Sequence, residues 1–307
     1  MSSPNGVVPA LVALATGEWA SAADLARDAA TAEPGSRLAA ALAEFLHLQQ
    51  TPGVYDEPTA FEAFIDNGAN PELYRRTIAA LRAIHAADRP AAVLDIGCGD
   101  GRVVAAALDQ ATGRVDLVDP SDALLGQAVG AVVHDRIAVV AHAMGASDLM
   151  AHAPPEQRWG VAESTFALHT THPDERPALL RWLAVRVDRL LVVEFDVPAF
   201  ADRSPEHLAY LAERYEAGVR EYAEHPEVVA GFLMPVLVGQ LDPSRPRYTF
   251  EQPIAAWADL LVAAGFAVST TPVFDYWWAP AVLVDARPNG ARTSETGRAN
   301  DTTERNR

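Results

Sequence analysis

An apolar run that breaks into three alternating glycines and then turns helical leaves a chain few folds to choose from. Ala91, Ala92, Val93 and Leu94 are continuously apolar, as in parallel strands covered on both faces. Asp95-Ile96-Gly97-Cys98-Gly99-Asp100-Gly101 follows at once, and a helical pattern begins at about Arg102. The glycines remove the Cβ where the backbone must turn sharply and let a ligand approach. The helix aims its N-terminal amides at that ligand. A dinucleotide fingerprint, Gly-x-Gly-x-x-Gly counted from Gly97, would place its third glycine where Arg102 stands, so the pyrophosphate motif fails. Asp95 and Asp100 put negative charge on both sides of the loop, which suits a ligand carrying positive charge.

The next apolar run, Val115 to Val118, ends in Asp119-Pro120-Ser121. A carboxylate at the tip of the adjacent strand can accept both ribose hydroxyls of a nucleoside; by itself it could equally cap a helix. In this order and spacing the two signals resemble the class I methyltransferases that use S-adenosylmethionine. The resemblance covers roughly residues 89–286. It implies an α/β, Rossmann-like sheet of seven strands, mostly parallel with the last antiparallel. It assigns the cofactor to Asp95, Gly97, Cys98, Gly99, Asp119 and Pro120, and to Ser164 after the fourth strand. After the third strand, expected over 137–141, the family often carries an acidic residue near the adenine. This chain has His142-Ala143-Met144 there, and these are the expected adenine contacts.

Composition narrows the partner. A net charge of -17 with no basic cluster argues against nucleic-acid phosphates and anionic membranes. All the basic residues are Arg, and the single cysteine, Cys98, allows neither an internal disulfide nor a cysteine-based metal cluster. No His and carboxylate spacing matches a metal motif, so no metal is expected. Without a spanning apolar run or a signal-peptide pattern, a soluble cytoplasmic protein is expected.

The chain divides into a helical N-terminal cap (1–50), a lid and linker helix (51–88), the catalytic domain (89–286) and a disordered polar tail (287–307). The cap carries two amphipathic patterns, 19–30 and 37–48, that vaguely resemble one tetratricopeptide unit; a lone unit cannot stack into a solenoid, which leaves a cap or a homodimer contact. Between the fifth strand and the helix at Ile254 lies an insertion, 197–253, rich in Pro, Tyr and His. It exceeds an ordinary connection and should roof the ligand crevice.

Methyl transfer requires an aligned acceptor, excluded water and, for an acceptor that carries a proton, a base. The loop Phe166 to Pro173 follows the fourth strand, and His169 is the expected base with His172 behind it; a packing or helix-capping role for His169 is equally open. Tyr55, Phe64, Tyr222 and Trp277 are the expected substrate-binding walls, against a plain core role for the tryptophan. An aromatic, lysine-free pocket points to a flat aromatic metabolite. The segments around Tyr55 and Tyr74 resemble bacterial natural-product methyltransferases of the indole C3 type, with O- or N-methylation of another aromatic metabolite as the alternative. An inactive scaffold that binds the cofactor is the alternative of a different class.

Overall fold

The computed structural model describes residues 4–48, 58–132, 136–245 and 247–290. Three helices open the chain: α1 (Val8–Ala15), α2 (Trp19–Ala32) and α3 (Arg37–His47). After α4 (Pro58–Asp66) and α5 (Asn70–Asp88), strands and helices alternate. They are β1 (Ala92–Ile96), α6 (Arg102–Ala107), β2 (Arg114–Asp119), α7 (Asp122–Val132), β3 (Ala138–Ala143), α8 (Ala146–His152), β4 (Trp159–Thr165), α9 (Arg176–Ala184) and β5 (Val187–Phe195). The insertion forms α10 (Pro205–Glu221), then α11 (Pro226–Val228), which runs through a π-helical turn into α12 (Met234–Leu241). α13 (Ile254–Ala263), β6 (Phe266–Phe274) and β7 (Ala281–Pro288) close the fold.

The strands form one seven-stranded sheet in the order β3-β2-β1-β4-β5-β7-β6, in which only the pairings of β7 are antiparallel. The continuous apolar runs read from the sequence are the central strands, whose residues are buried on both faces: Val93 and Leu94 in β1, Leu190 to Val193 in β5. On one face Leu81 of α5, Val103 and Ala107 of α6, and Leu125 and Ala128 of α7 cover the sheet. On the other lie Leu149 of α8, Leu179, Leu180 and Leu183 of α9, and Trp257 and Leu261 of α13.

A second core lies outside the sheet. Leu11, Leu14, Leu38, Leu42 and Phe45 of the first helices interlock with Leu208, Leu211 and Tyr215 of α10 and with Leu237 and Leu241 of α12. Burial of each such leucine contributes roughly 1.5–3 kcal/mol. The Glu216 carboxylate on α10 accepts hydrogen bonds from the Arg37 and Leu38 amides at the start of α3, at 3.2 and 2.9 Å, and from the Ser36 hydroxyl at 3.2 Å. Trp19 Nε1 donates to Asp242 beyond α12 at 3.2 Å. The N-terminal cap and the insertion, which the sequence separates, thus build one helical layer.

Two boundaries differ from the sequence reading. β3 continues through His142 and Ala143, because each added residue pairs with β2, His142 opposite Val118 and Ala143 opposite Asp119. β7 extends through Pro288, where Arg287 and Pro288 pair with Ala267 and Phe266, so the polar tail starts later than expected; residues 291–307 lie outside the described residues.

Candidate active site

The glycine loop is fastened to the end of β2. The Gly97 and Cys98 amides both donate to the Val118 carbonyl, at 2.8 and 3.1 Å. The next residue, Asp119, accepts from the Gly99 amide at 3.0 Å with one carboxylate oxygen and from the Ser121 amide at 2.9 Å with the other. Each oxygen keeps a second lone pair, so the carboxylate is fixed by the loop yet still able to accept two hydroxyls. Gly97 and Gly99 hold φ of 73° and 54°, which side chains of L-residues rarely adopt. A Cβ at Gly97 would lie 2.2 Å from the Ala167 methyl, whereas one at Gly99 would meet nothing within 4 Å. The first glycine therefore admits the loop after β4, and the second borders open space. A donor set of one anchored carboxylate beside an open, glycine-lined edge fits a nucleoside cofactor.

Other sequence-assigned residues divide by accessibility. Pro120 and Ala143 are exposed at the strand tips and Met144 is half-buried. The His142 ring turns back into the sheet, where Nε2 lies 3.1 Å from Asp116, a carboxylate also held by Arg114 and Trp159. Cys98 packs its side chain into the core under α6 and α7, and burial pushes its thiol well up. Ser164 is fully buried and its hydroxyl donates to the Ile96 carbonyl at 2.8 Å; it clamps β4 to β1 and does not reach the crevice. Arg75 and Arg76 on α5 both pair with Glu72.

The expected negative charge around the loop is also revised. Asp100 binds the Arg102 amide and guanidinium, so it starts α6 instead of facing a ligand. Asp95 is buried; burial first, then the neighbouring Glu163 and Asp119, raise its carboxyl well above the usual range. Glu163, opposite Asp95 in the register, lies 2.8 Å from His85 Nε2 on α5 in a wholly buried pair.

β4 leads into Phe166, which has φ of 51°. A bulky residue there costs about 1–3 kcal/mol, and it is held by the Phe166 amide donating to the Val193 carbonyl at 2.8 Å and by its ring stacked on Phe195 at 4.6 Å. The turn presses Ala167 onto the glycine loop and brings His169 to the end of β5. There Glu194 accepts from the His169 amide at 3.0 Å and pairs with Nδ1 at 2.9 Å. Burial opposes charge on the ring, but the Glu194 charge and hydrogen bond, aided by Glu251, outweigh it and raise His169 to about 9. The His169 carbonyl accepts from the Phe250 amide and from Arg176, a buried guanidinium that also binds the Thr171 and Phe250 carbonyls and the Gln252 side chain. His172 is exposed, its ring edge against Phe250 at 5.0 Å. The sequence reading missed Glu194 and Arg176. A lone carboxylate in the buried run Leu-Leu-Val-Val-Glu-Phe was the available signal for the first.

The expected aromatic walls form a packed block. Tyr222 is fully buried and its hydroxyl accepts from Asn70 at 2.7 Å. Phe64 stacks on Phe232 at 4.1 Å, and Trp277 packs edge-on to Tyr215 and Trp278. Their faces are largely spent on this packing; Tyr55 lies outside the described residues.

Residues 93–187 match the family profile described as a methyltransferase domain. That span runs from β1 to the start of β5 and contains the glycine loop, Asp119 and the His169 loop. Residues 93–187 are thus a methyltransferase domain. S-adenosylmethionine is the cofactor of this methyltransferase. No curated protein is detectably similar in sequence. Among solved structures, the magnesium protoporphyrin IX methyltransferase of Synechocystis with bound S-adenosylhomocysteine is 17% identical over 71% of this chain and 84% of its own, with a TM-score of 0.45. The 1,6-didemethyltoxoflavin-N1-methyltransferase of Burkholderia thailandensis is 20% identical over 78% and 92%, at 0.45. The N-methyltransferase NodS of Bradyrhizobium japonicum is 10% identical over 72% and 99%, at 0.45. Among the described residues no helix of this methyltransferase is long and apolar enough to cross a membrane.

Proposed function

We propose that this methyltransferase acts on an aromatic small molecule of secondary metabolism, with His169 as the base that takes the acceptor's proton. The observation that carries the reading is the His169–Glu194 pair on the loop that Ala167 seats against Gly97. Bound S-adenosylmethionine supplies an electrophilic methyl group on a cationic sulfur. Asp119 and the glycine loop would hold the nucleoside, and Ala143 and Met144, at the end of β3, would border its adenine. Glu194 fixes the ring so that Nε2 is the nitrogen left to meet the acceptor. The His169 ring carries its proton at neutral pH, so the base form, and with it the rate, increases as pH rises toward about 9.

The net charge of -17 favours such an acceptor over a polyanion. Within the aromatic class, an indole methylated at C3 suits a base beside the reacting centre: His169 takes the ring N–H proton while C3 gains its new bond. An oxygen or nitrogen acceptor would use the same base directly. The test is mass spectrometry on a panel of indoles, phenols and aromatic amines incubated with the protein and methyl-labelled S-adenosylmethionine. Labelled product that falls at least tenfold in His169→Ala, while S-adenosylhomocysteine binding is kept, supports the reading. Binding without product from any class would leave the inactive scaffold.

A further inference from the structure

The insertion lines a partly open cavity of about 170 Å³ between the segment after β5, α10, α12 and the stretch before α13. It differs from the packed aromatic block in chemistry. Phe200, Tyr210 and Trp278 form its flat walls: Tyr210 lies 5.2 Å from Phe200 and 5.7 Å from Trp278, and the Tyr210 hydroxyl donates to the Trp278 carbonyl at 3.0 Å. An apolar cavity of about 150 Å³ accepts benzene, so this one has room for a fused ring of modest size.

Its polar groups point to what that ring must carry. Gln240 is 6% exposed, and its Oε1 has no hydrogen-bond partner. An acceptor buried in that way is destabilising until a donor meets it. Glu251 also lines the cavity and makes no ion pair among the described residues, whereas Asp202 is already held by Arg247 at 2.7 Å. The cavity thus sets one unpaired buried acceptor and one half-exposed carboxylate beside aromatic faces. We propose that it binds a planar heteroaromatic bearing N–H donors, an amino-substituted or amidine-like ring, with its donor edge against Gln240 and Glu251.

The inference deepens the methyltransferase reading and rests on it for the ligand's role as acceptor. The link is structural: the stretch carrying Glu251 and Gln252 is bound through the Phe250 amide to the His169 carbonyl and through Gln252 to Arg176. A ring seated there is one short segment from the base.

The experiment is calorimetric titration of the full chain with 2-aminobenzimidazole and with indene, a ring of like size that has no donor. Gln240→Leu and Glu251→Gln are titrated alongside, and S-adenosylhomocysteine is titrated into every sample. The expected result is saturable binding of 2-aminobenzimidazole that weakens roughly tenfold in each variant, with indene bound more weakly than 2-aminobenzimidazole by the unaltered chain. Glu251→Gln changes a half-exposed position, so it keeps the test open should Gln240→Leu fail to fold. Equal binding of both rings, unchanged affinity in the folded variants, or no binding of 2-aminobenzimidazole overturns the proposal. Loss of S-adenosylhomocysteine binding by the unaltered chain would instead overturn the methyltransferase reading, whatever the rings do.

Discussion

Replacing Glu194 by Gln removes one negative charge while retaining a side chain of the same shape, and it should collapse the basicity of His169. The ring stands at about 9 because Glu194 outweighs a burial effect that, alone, would push it below its ordinary 6.5. At 1.36 kcal/mol per pH unit the difference corresponds to about 3 kcal/mol of preference for the charged ring. The sign for stability follows. A raised imidazole stabilises the fold fully below the unfolded value of about 6.5, and that contribution is lost as pH rises toward 9. Proton–carbon NMR of the histidine rings, with His169 assigned through His169→Gln, reads the titration without any substrate. The unaltered protein should titrate at this ring near 9, and Glu194→Gln below about 6.5. Urea unfolding should lose up to about 3 kcal/mol between pH 6.5 and 9 through this ring, and a loss of that size should be absent in the variant. A midpoint near 6.5 in the unaltered protein, or one indifferent to the substitution, would refute the pairing as the source of the basicity.

Three further outcomes test the surrounding frame. Asp95→Asn should raise the melting temperature of the free protein at pH 8, because the amide removes a buried carboxyl whose charged form burial, Glu163 and Asp119 all disfavour. Gly97→Ala puts a methyl 2.2 Å from Ala167 at a φ of 73° and should cost at least about 1–3 kcal/mol in urea unfolding, with cofactor binding lost. Glu216→Ala leaves the first amides of α3 without their acceptor; it should cost about 1–3 kcal/mol, and hydrogen exchange should quicken in α3 with the sheet strands unaffected.

What was legible in the sequence was whatever neighbouring residues settle among themselves. Short apolar runs that end in a glycine turn suit strands buried on both faces, and glycine at 97, 99 and 101 permits left-handed backbone without reference to anything distant. The position of Asp119 at the tip of the second strand follows from the same local logic, and with it the family resemblance. Tertiary structure decided what depends on partners far along the chain. Glu194 stands 25 residues from His169 and fixes both its tautomer and its charge, which no spacing rule announces. Ser164 and Tyr222 looked like ligand contacts by their place in the chain, yet folding spends the serine hydroxyl on a strand carbonyl and buries the tyrosine against Phe64 and Asn70. The helical cap and the insertion are joined through Ser36 and Glu216, 180 residues apart. Hydrophobic periodicity tells each helix which face to bury, but two unpartnered faces recognise each other only once the chain between them has folded.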